Sequence, residues 1–204
     1  VTAAGTGVIT LGDANTGITV SGSGTVGGAS GGTITMGDVL MADGVTLTVG
    51  AGAANQIDLD AITGTAEGAV SSLTINSTGV VDVAEAVGTD IGTVTITNSG
   101  GTTFNSTVGA ATFTLTDTAD AATVSFLGNV TLSAGMTVSA LGRSDAFNVS
   151  LTGTTNSIAG ATTFFNTGTL TLGNGGTDAT EFTGGVVATT QTGATNGIVL
   201  NGDV

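Results

Sequence analysis

Short segments in which apolar residues alternate with threonine or serine recur along the whole chain, each bounded by glycine, asparagine, aspartate or serine. Strict alternation places successive side chains on opposite faces, which is the pattern of a half-buried β-strand. Proline, which would remove a hydrogen-bond donor from a ladder of strands, is absent. The sequence therefore predicts an all-β protein, with strands at residues 8–11, 18–21, 33–36, 46–49, 56–60, 72–76, 93–97, 112–116, 129–133, 147–151 and 169–172.

The strongest of these strands repeat at a near-regular interval. Taking one inward residue in each as an anchor, neighbouring anchors are separated by 17 to 26 residues. A unit of about 20 residues with two or three short strands is typical of a β-solenoid (parallel β-helix), here of about ten coils. The anchors are Leu47, Leu73, Val94, Phe113, Val130, Val149 and Leu170. One continuous core is expected to contain Val94, Ile96, Phe113, Leu115, Val130, Leu132, Val149, Leu151, Leu170 and Leu172.

Two questions about organisation stay open. Tandem β-sandwich domains of about 100 residues each would also be all-β, although the regular spacing favours the solenoid. Residues 1–60 have closer strand spacings than residues 61–204, which predicts an N-terminal strand-rich region (narrow coils, a cap or a subdomain) before the solenoid repeats. Residues 22–32, rich in glycine and serine, are the best candidate for a loop or boundary.

The charge balance restricts the partners. The 204 residues include 15 acidic residues and a single basic one, Arg143, which gives a formal net charge of −14. Nucleic acid and insertion into or attraction to a membrane are not expected, because phosphates and anionic lipids are bound through Lys and Arg. Arg143 is expected in an exposed turn or paired with Asp145. An acidic chain without cysteine, rich in threonine and glycine, favours an extracellular or cell-surface location.

Several phrases between residues 101 and 176 resemble a known group of proteins. They read "TTFNSTVGAATFTLTD", "GNVTLSAGMTVSALG" and "GATTFFNTGTLTLGNGG". These phrases resemble the repeats of filamentous-haemagglutinin-type adhesins and autotransporter passenger domains, and similar repeats occur in crystalline surface-layer proteins. The resemblance implies a β-helix at the bacterial surface that acts in adhesion or as an extracellular scaffold. It carries no position-specific motif, so it assigns no functional residue.

Enzymatic chemistry has few candidate groups here. Histidine, cysteine and lysine are absent, which excludes a Ser-His-Asp triad, a thiol nucleophile and a Schiff-base lysine. A carboxylate pair remains, since glycoside hydrolysis uses Asp and Glu alone. Asp58 and Asp60 are the closest such pair, but the chain lacks the Trp and Tyr that usually line glycan-binding clefts. We therefore expect no enzymatic activity, with a polysaccharide-active β-helix as a lesser alternative.

Calcium is the metal that suits this composition, because oxygen ligands suffice for it. The candidate ligands are Asp58 and Asp60 on one strand, Asp178 in a glycine-rich segment, and Asp13 in a predicted turn. At each of these places, a plain solvated turn or face is the favoured explanation over a calcium site. No cofactor is otherwise expected, and calcium is expected to act on stability or assembly rather than on chemistry.

Outward Thr-x-Thr pairs raise a different idea. They occur at residues 46/48, 93/95, 95/97, 112/114, 114/116 and 169/171. A regular array of threonine hydroxyl and methyl groups on a solenoid face resembles the faces of ice-binding proteins. That function needs the pairs in vertical register, and the variable spacing of the repeats predicts that they are out of register.

The two ends of the chain both read as apolar strands without lysine or proline. An uncapped strand edge is a template for another strand. We therefore expect either self-association through Ile198, Val199, Leu200, Val8 and Ile9, or a chain that is a segment of something longer.

Taken together, these features predict a structural or adhesive component of an extracellular surface assembly, such as a fibre, sheath, surface layer or adhesin stalk. Its main partner would be itself, as a homopolymer or lattice, and surface glycans or neighbouring cell surfaces would be further partners. The alternatives are a calcium-dependent surface-layer or ligand-binding module, and an ice-binding protein.

Overall fold

Twenty-three strands and no helix make up the part of the chain that the computed structural model describes, which is residues 1–2, 7–13, 15–28, 31–139, 146–189 and 197–204. All eleven predicted strands coincide at least in part with an observed strand. The strands are β1 (Ile9–Leu11), β2 (Ile18–Val20), β3 (Gly24–Val26), β4 (Ile34–Met36), β5 (Val39–Met41), β6 (Thr46–Val49), β7 (Ile57–Leu59), β8 (Ile62–Gly64), β9 (Ser71–Asn76), β10 (Val81–Val83), β11 (Val87–Gly88), β12 (Ile91–Asn98), β13 (Thr102–Phe104), β14 (Val108–Leu115), β15 (Thr123–Phe126), β16 (Val130–Val138), β17 (Asn148–Leu151), β18 (Thr155–Ile158), β19 (Thr162–Phe164), β20 (Leu170–Leu172), β21 (Ala179–Phe182), β22 (Val186–Ala188) and β23 (Ile198–Leu200).

The strands stack in parallel, coil upon coil. A nine-stranded sheet has the order β1-β4-β7-β10-β13-β15-β17-β20-β23, and a 14-stranded sheet forms the remaining faces of each coil. All pairings between these strands are parallel. The chain is therefore a β-solenoid of about seven coils of roughly 23 residues. Tandem β-sandwiches are wrong for this chain, since their sheets are antiparallel.

The coils are longer and fewer than the sequence spacing predicts. The first four anchors stack in register in the 14-stranded sheet, but Phe113 is followed by Met136 instead of Val130. The last two anchors lie in the nine-stranded sheet. The cause is the nine-residue strand β16, which contains Val130 and pairs with both β18 and β19 of the next coil. β16 runs continuously across two faces of its coil. In the sequence, its first residues around Val130 show the alternation of a separate strand, so they look like an additional repeat.

The interior is one hydrophobic cluster that runs along the solenoid. All ten residues predicted for the core are buried, and they belong to this single cluster. The alternation explains their burial: Val94 and Ile96 are fully buried, whereas Thr95 between them is only partly buried. Each buried aliphatic side chain contributes about 1.5–3 kcal/mol, so the stacked columns supply most of the driving force for coiling. The predicted continuous core is confirmed.

The ladder also includes the N-terminal residues. Strand β4 pairs with β7, and β7 pairs with β10, so the nine-stranded sheet is continuous across residue 60. The division into residues 1–60 and 61–204 stays a prediction. Residues 22–32, expected as a loop, contain strand β3, which pairs with β6.

A buried asparagine in β18, Asn156, forms hydrogen bonds to groups on its own coil and on both neighbouring coils. Asn156 is 1% exposed. Its Oδ1 accepts a hydrogen bond from the backbone N of Val130 at 3.0 Å, and its Nδ2 donates to the carbonyl of Gly153 and to Oγ1 of Thr180, both at 3.1 Å. Buried backbone groups that lack a ladder partner need such an acceptor or donor. Asn156 therefore ties three successive coils together.

Candidate functional site

The C-terminal edge of the nine-stranded sheet is formed by β23, which pairs only with β20 in the described chain. Ile198 stacks on Leu170, and Leu200 stacks on Leu172, so both lie in columns that point into the core. Leu170 is 3% exposed, whereas Ile198 is 49% exposed and Leu200 is 57% exposed. Among the described residues, the edge thus presents core side chains together with the hydrogen-bonding groups of a strand that has no partner on this side.

The other residues predicted for self-association lie in different surroundings. Val199 belongs to the outward column above Thr171 and is 41% exposed. Val8 is also exposed, but Ile9 is buried in the first coil, where it stacks on Ile34. Ile9 is therefore part of the core and not of the exposed surface.

At the opposite end of the solenoid, the core opens to solvent through an apolar cavity of about 320 Å³. Val1 borders the opening. Its ammonium group donates to the carbonyl of Thr25 at 2.8 Å, and its carbonyl accepts from the N of Gly27 at 2.9 Å. These two hydrogen bonds extend the ladder of strands to Val1. The described residues of the first coil thus surround an open apolar mouth. The apolar side chains of its wall are Val1, Leu11, Ile18, Val20, Val26, Met36 and Leu47.

Asp58 lies in an outward column, as predicted, and its neighbour one coil on is a second aspartate, Asp82. Adjacent strands are about 4.8 Å apart, so the two carboxylates lie side by side. Each accepts hydrogen bonds from a side-chain amide: Nε2 of Gln56 reaches both oxygens of Asp58 at 3.0 and 3.2 Å, and Nδ2 of Asn105 reaches Oδ1 of Asp82 at 2.9 Å. The sequence contains a signal for this pair, because Asp occupies the middle of both strands.

Asp178 is 5% exposed, and its carboxylate closes a local turn. Its Oδ2 accepts hydrogen bonds from the backbone N of Asn174 at 2.7 Å and of Gly175 at 2.9 Å. Two backbone donors on one oxygen explain why a carboxylate is buried at this position. The calcium assignment of Asp178 stays a prediction beside this structural role.

The remaining predicted metal ligands are Asp60 and Asp13. Asp60 follows β7 and is partly buried. Asp13 accepts a hydrogen bond on Oδ1 from the backbone N of Asn15 at 2.8 Å. Within the described residues, no three His, Cys, Asp or Glu side chains are grouped closely enough to hold a metal ion together. Arg143 and Asp145 lie outside the described residues.

One outward column consists of threonine on seven consecutive coils. The residues Thr25, Thr48, Thr74, Thr95, Thr114, Thr137 and Thr163 stack in direct register, and Val187 follows. We call this column the threonine face. A second column beside it holds Thr46, Ser72, Thr93, Thr112 and Gly135. The prediction that the Thr-x-Thr pairs are out of register is wrong for this face.

The threonines stay in register because extra residues are accommodated in local bulges. The strand pairs that follow each bulge are still aligned. The pairing of β14 with β16 slips between Ala110 and Thr112, after which Thr114 again stacks directly on Thr137. A similar shift occurs in β12 next to Ile91. A bulge of this kind adds residues to one strand while leaving the following pairs aligned. The variable repeat length is therefore compatible with a regular face.

No family model, no curated protein and no solved structure matches this chain. Among the described residues, no helix is long and apolar enough to cross a membrane.

Proposed function

We propose that this chain is a non-enzymatic structural element of an extracellular surface assembly, in which solenoids stack end to end. The observation that carries the proposal is the pair Ile198 and Leu200, which continue core columns and yet remain half exposed at β23. The first coil of a second copy on this edge would extend the ladder and cover both side chains. Addition of a strand to an open edge is a general mode of protein association.

The opposite end is suited to receive that edge. Strands β1, β2 and β3 border the open apolar cavity, and each is an end strand of its sheet path. Because the strands are all parallel, a second copy joined head to tail keeps the same strand direction across the junction. Contact between two different ends is heterologous, and it produces an open filament rather than a closed ring.

The remaining parts of the proposal rest on composition and resemblance. An extracellular location is supported by the absence of cysteine and by a single basic residue in 204. The absence of histidine, lysine and cysteine supports a role without catalysis. The resemblance to adhesin and autotransporter repeats supports a stalk, fibre or surface layer that contacts surface glycans or neighbouring cells. In the alternative role, calcium bridges the acidic surfaces of adjacent copies in a surface layer.

Filament formation by the purified 204-residue chain tests the proposal. Increasing concentrations are examined by sedimentation velocity and by negative-stain electron microscopy. We expect filaments whose length rises with concentration. Ile198→Lys and Val199→Lys place a charge on the β23 edge and are expected to leave a folded monomer while shortening or abolishing the filaments.

Leu127→Lys is the matched control, because Leu127 is an exposed apolar residue (51%) that lies far from either end of the ladder. It is expected to leave filament length unchanged. Circular dichroism confirms that each variant is folded. A chain that stays monomeric at every concentration, or filaments that are equally long with and without the lysine at residue 198, would overturn end-to-end stacking.

A further inference from the structure

The threonine face (Thr25, Thr48, Thr74, Thr95, Thr114, Thr137 and Thr163) is uniform in a way that the other faces of the solenoid are not. The outward column of the nine-stranded sheet runs Thr10, Thr35, Asp58, Asp82, Thr103, Ser125, Ser150, Thr171 and Val199. Another column of the 14-stranded sheet runs Thr19, Leu40, Thr63 and Gly88. All faces share the same β-propensity of threonine. Propensity alone therefore does not account for seven threonines in one column.

The hydroxyl groups of the threonine face also differ from those of other threonines in their hydrogen bonding. None of the seven makes a side-chain hydrogen bond to the part of the chain that the structure describes. Threonines elsewhere do, since Oγ1 of Thr63 donates to the carbonyl of Val39 at 3.2 Å and Oγ1 of Thr152 donates to that of Phe126 at 3.1 Å. The face thus presents one free hydroxyl and one methyl group per coil.

The strands of this face carry no charged residue, as is true of every described strand except β7, β10 and β21, although the chain has 15 acidic residues. The strands β3, β6, β9, β12, β14, β16 and β19 contain no Asp, Glu, Lys or Arg. The nine-stranded sheet, in contrast, has acids in the middle of β7 and β10. A surface that binds a cation or a charged polymer would keep charges. A neutral lattice of hydroxyl and methyl groups suits a neutral, ordered partner.

We propose that the threonine face binds the surface of ice. The hydroxyls of the threonine face repeat about every 4.8 Å along the solenoid. About 6.6 Å to one side, the second column adds the hydroxyls of Thr46, Ser72, Thr93 and Thr112, of which the last two hydrogen-bond to each other at 3.0 Å. The two columns therefore form a two-dimensional grid over the central coils. This grid supplies hydrogen-bonding groups at near-regular positions to an ordered water layer, while the methyl groups between them pack against it. Crystalline polysaccharide is the poorer partner, since sugar rings stack on aromatic side chains and the chain has no Trp or Tyr.

The test measures the gap between the melting and freezing temperatures of single ice crystals in solutions of the purified chain. Thr95 lies at the centre of the face, and Thr95→Lys places a hydrated charge there. Thr103→Lys is the matched control, because Thr103 is a partly buried strand threonine in the outward column of the other sheet. We expect the unchanged chain and Thr103→Lys to shape ice crystals and widen the gap equally, and Thr95→Lys to lose most of the effect.

Circular dichroism first confirms that both variants are folded. No effect of the unchanged chain on ice growth at any concentration would overturn the proposal, and so would equal activity of Thr95→Lys or equal loss in both variants. Retention on crystalline chitin or cellulose without an effect on ice would assign the face to polysaccharide instead. The ends of the solenoid take no part in this test, so its result is independent of filament formation.

Discussion

Phe104 and Phe126 stack face to face on successive coils, with ring centroids 5.0 Å apart and ring planes 8° apart. Phe113 packs edge-on against both rings, at centroid distances of 5.9 and 5.0 Å. All three are 1% exposed. The two sheets are therefore joined at this level by an aromatic cluster, in which edge-to-face and offset stacked pairs add to the burial of area.

Removal of the central ring should destabilise the whole solenoid. Phe113→Ala leaves a cavity between two rings, and we expect the free energy of unfolding to fall by about 3–5 kcal/mol. Chemical denaturation followed by circular dichroism measures the change. Phe165→Ala is the control, since Phe165 is only partly buried and lies outside the core cluster. Similar losses for the two variants would contradict the special role of the cluster.

Asn156 should matter through its hydrogen bonds and not through its volume. Asn156→Ala leaves the buried backbone N of Val130 without its acceptor, and we expect a loss of about 1–3 kcal/mol in the free energy of unfolding. Asn174→Ala is the matched change, because the Asn174 side chain is exposed and makes no hydrogen bond in the described chain. An unchanged melting temperature for Asn156→Ala would show that the stability of the solenoid does not depend on this side chain.

Gly50 occupies a corner where only glycine fits. Its φ is +85°, and a Cβ there would overlap the backbone carbonyl oxygen of Asn76 in the next coil. Gly50→Ala is expected to cost more than about 1–2 kcal/mol, which is the cost of the left-handed backbone alone. Gly24→Ala is the comparison, since a Cβ at that position has no heavy atom within 4 Å. Thermal melts of the two variants should differ clearly, and equal melting temperatures would refute the account of this corner.

The stacked carboxylates of Asp58 and Asp82 should make stability depend on ionic strength. Like charges opposite each other on neighbouring strands are unfavourable, so Asp82→Asn should raise the free energy of unfolding by about 0.2–1 kcal/mol at low salt. The gain should shrink at high salt, where the repulsion is screened. Glu85→Gln removes the same charge from an exposed residue outside the pair. A gain that is equal in both variants would trace the effect to net charge and not to stacking.

Divalent cations should act on assembly. Copies with a net charge of −14 repel each other when they pack together. Calcium is therefore expected to lengthen or bundle filaments more than sodium chloride of the same ionic strength does, and a chelator should reverse the effect. Light scattering and sedimentation follow both changes. Identical behaviour in calcium and sodium chloride would remove a bridging role for the ion.

The alternation of apolar and threonine residues was sufficient to predict eleven of the 23 described strands and their inward faces. That signal is local: whether Val94 and Ile96 point inward depends only on their separation by one residue. The number of coils needs long-range pairing, and it was estimated wrongly because β16 covers two faces with one continuous strand. A sequence spacing does not distinguish one long strand from two short ones.

The threonine face was missed for a related reason. The sequence distance from Thr95 to Thr114 differs from that between Thr114 and Thr137, yet both pairs stack in direct register. Corners and bulges absorb the difference, and neither leaves a clear mark in a glycine-rich sequence. The open cavity of the first coil was also not predictable from the sequence. Its presence depends on which core side chains of that coil the neighbouring coil leaves exposed.

X-ray fibre diffraction from oriented assemblies of the chain tests the central claim most directly. In an end-to-end filament the strands run across the long axis, so their spacing of about 4.8 Å must appear along it. The account predicts a sharp meridional reflection at that spacing, continuous over many copies because the ladder crosses each junction. Filaments with the strand spacing perpendicular to the axis, or a chain that yields no filaments to orient, would contradict it.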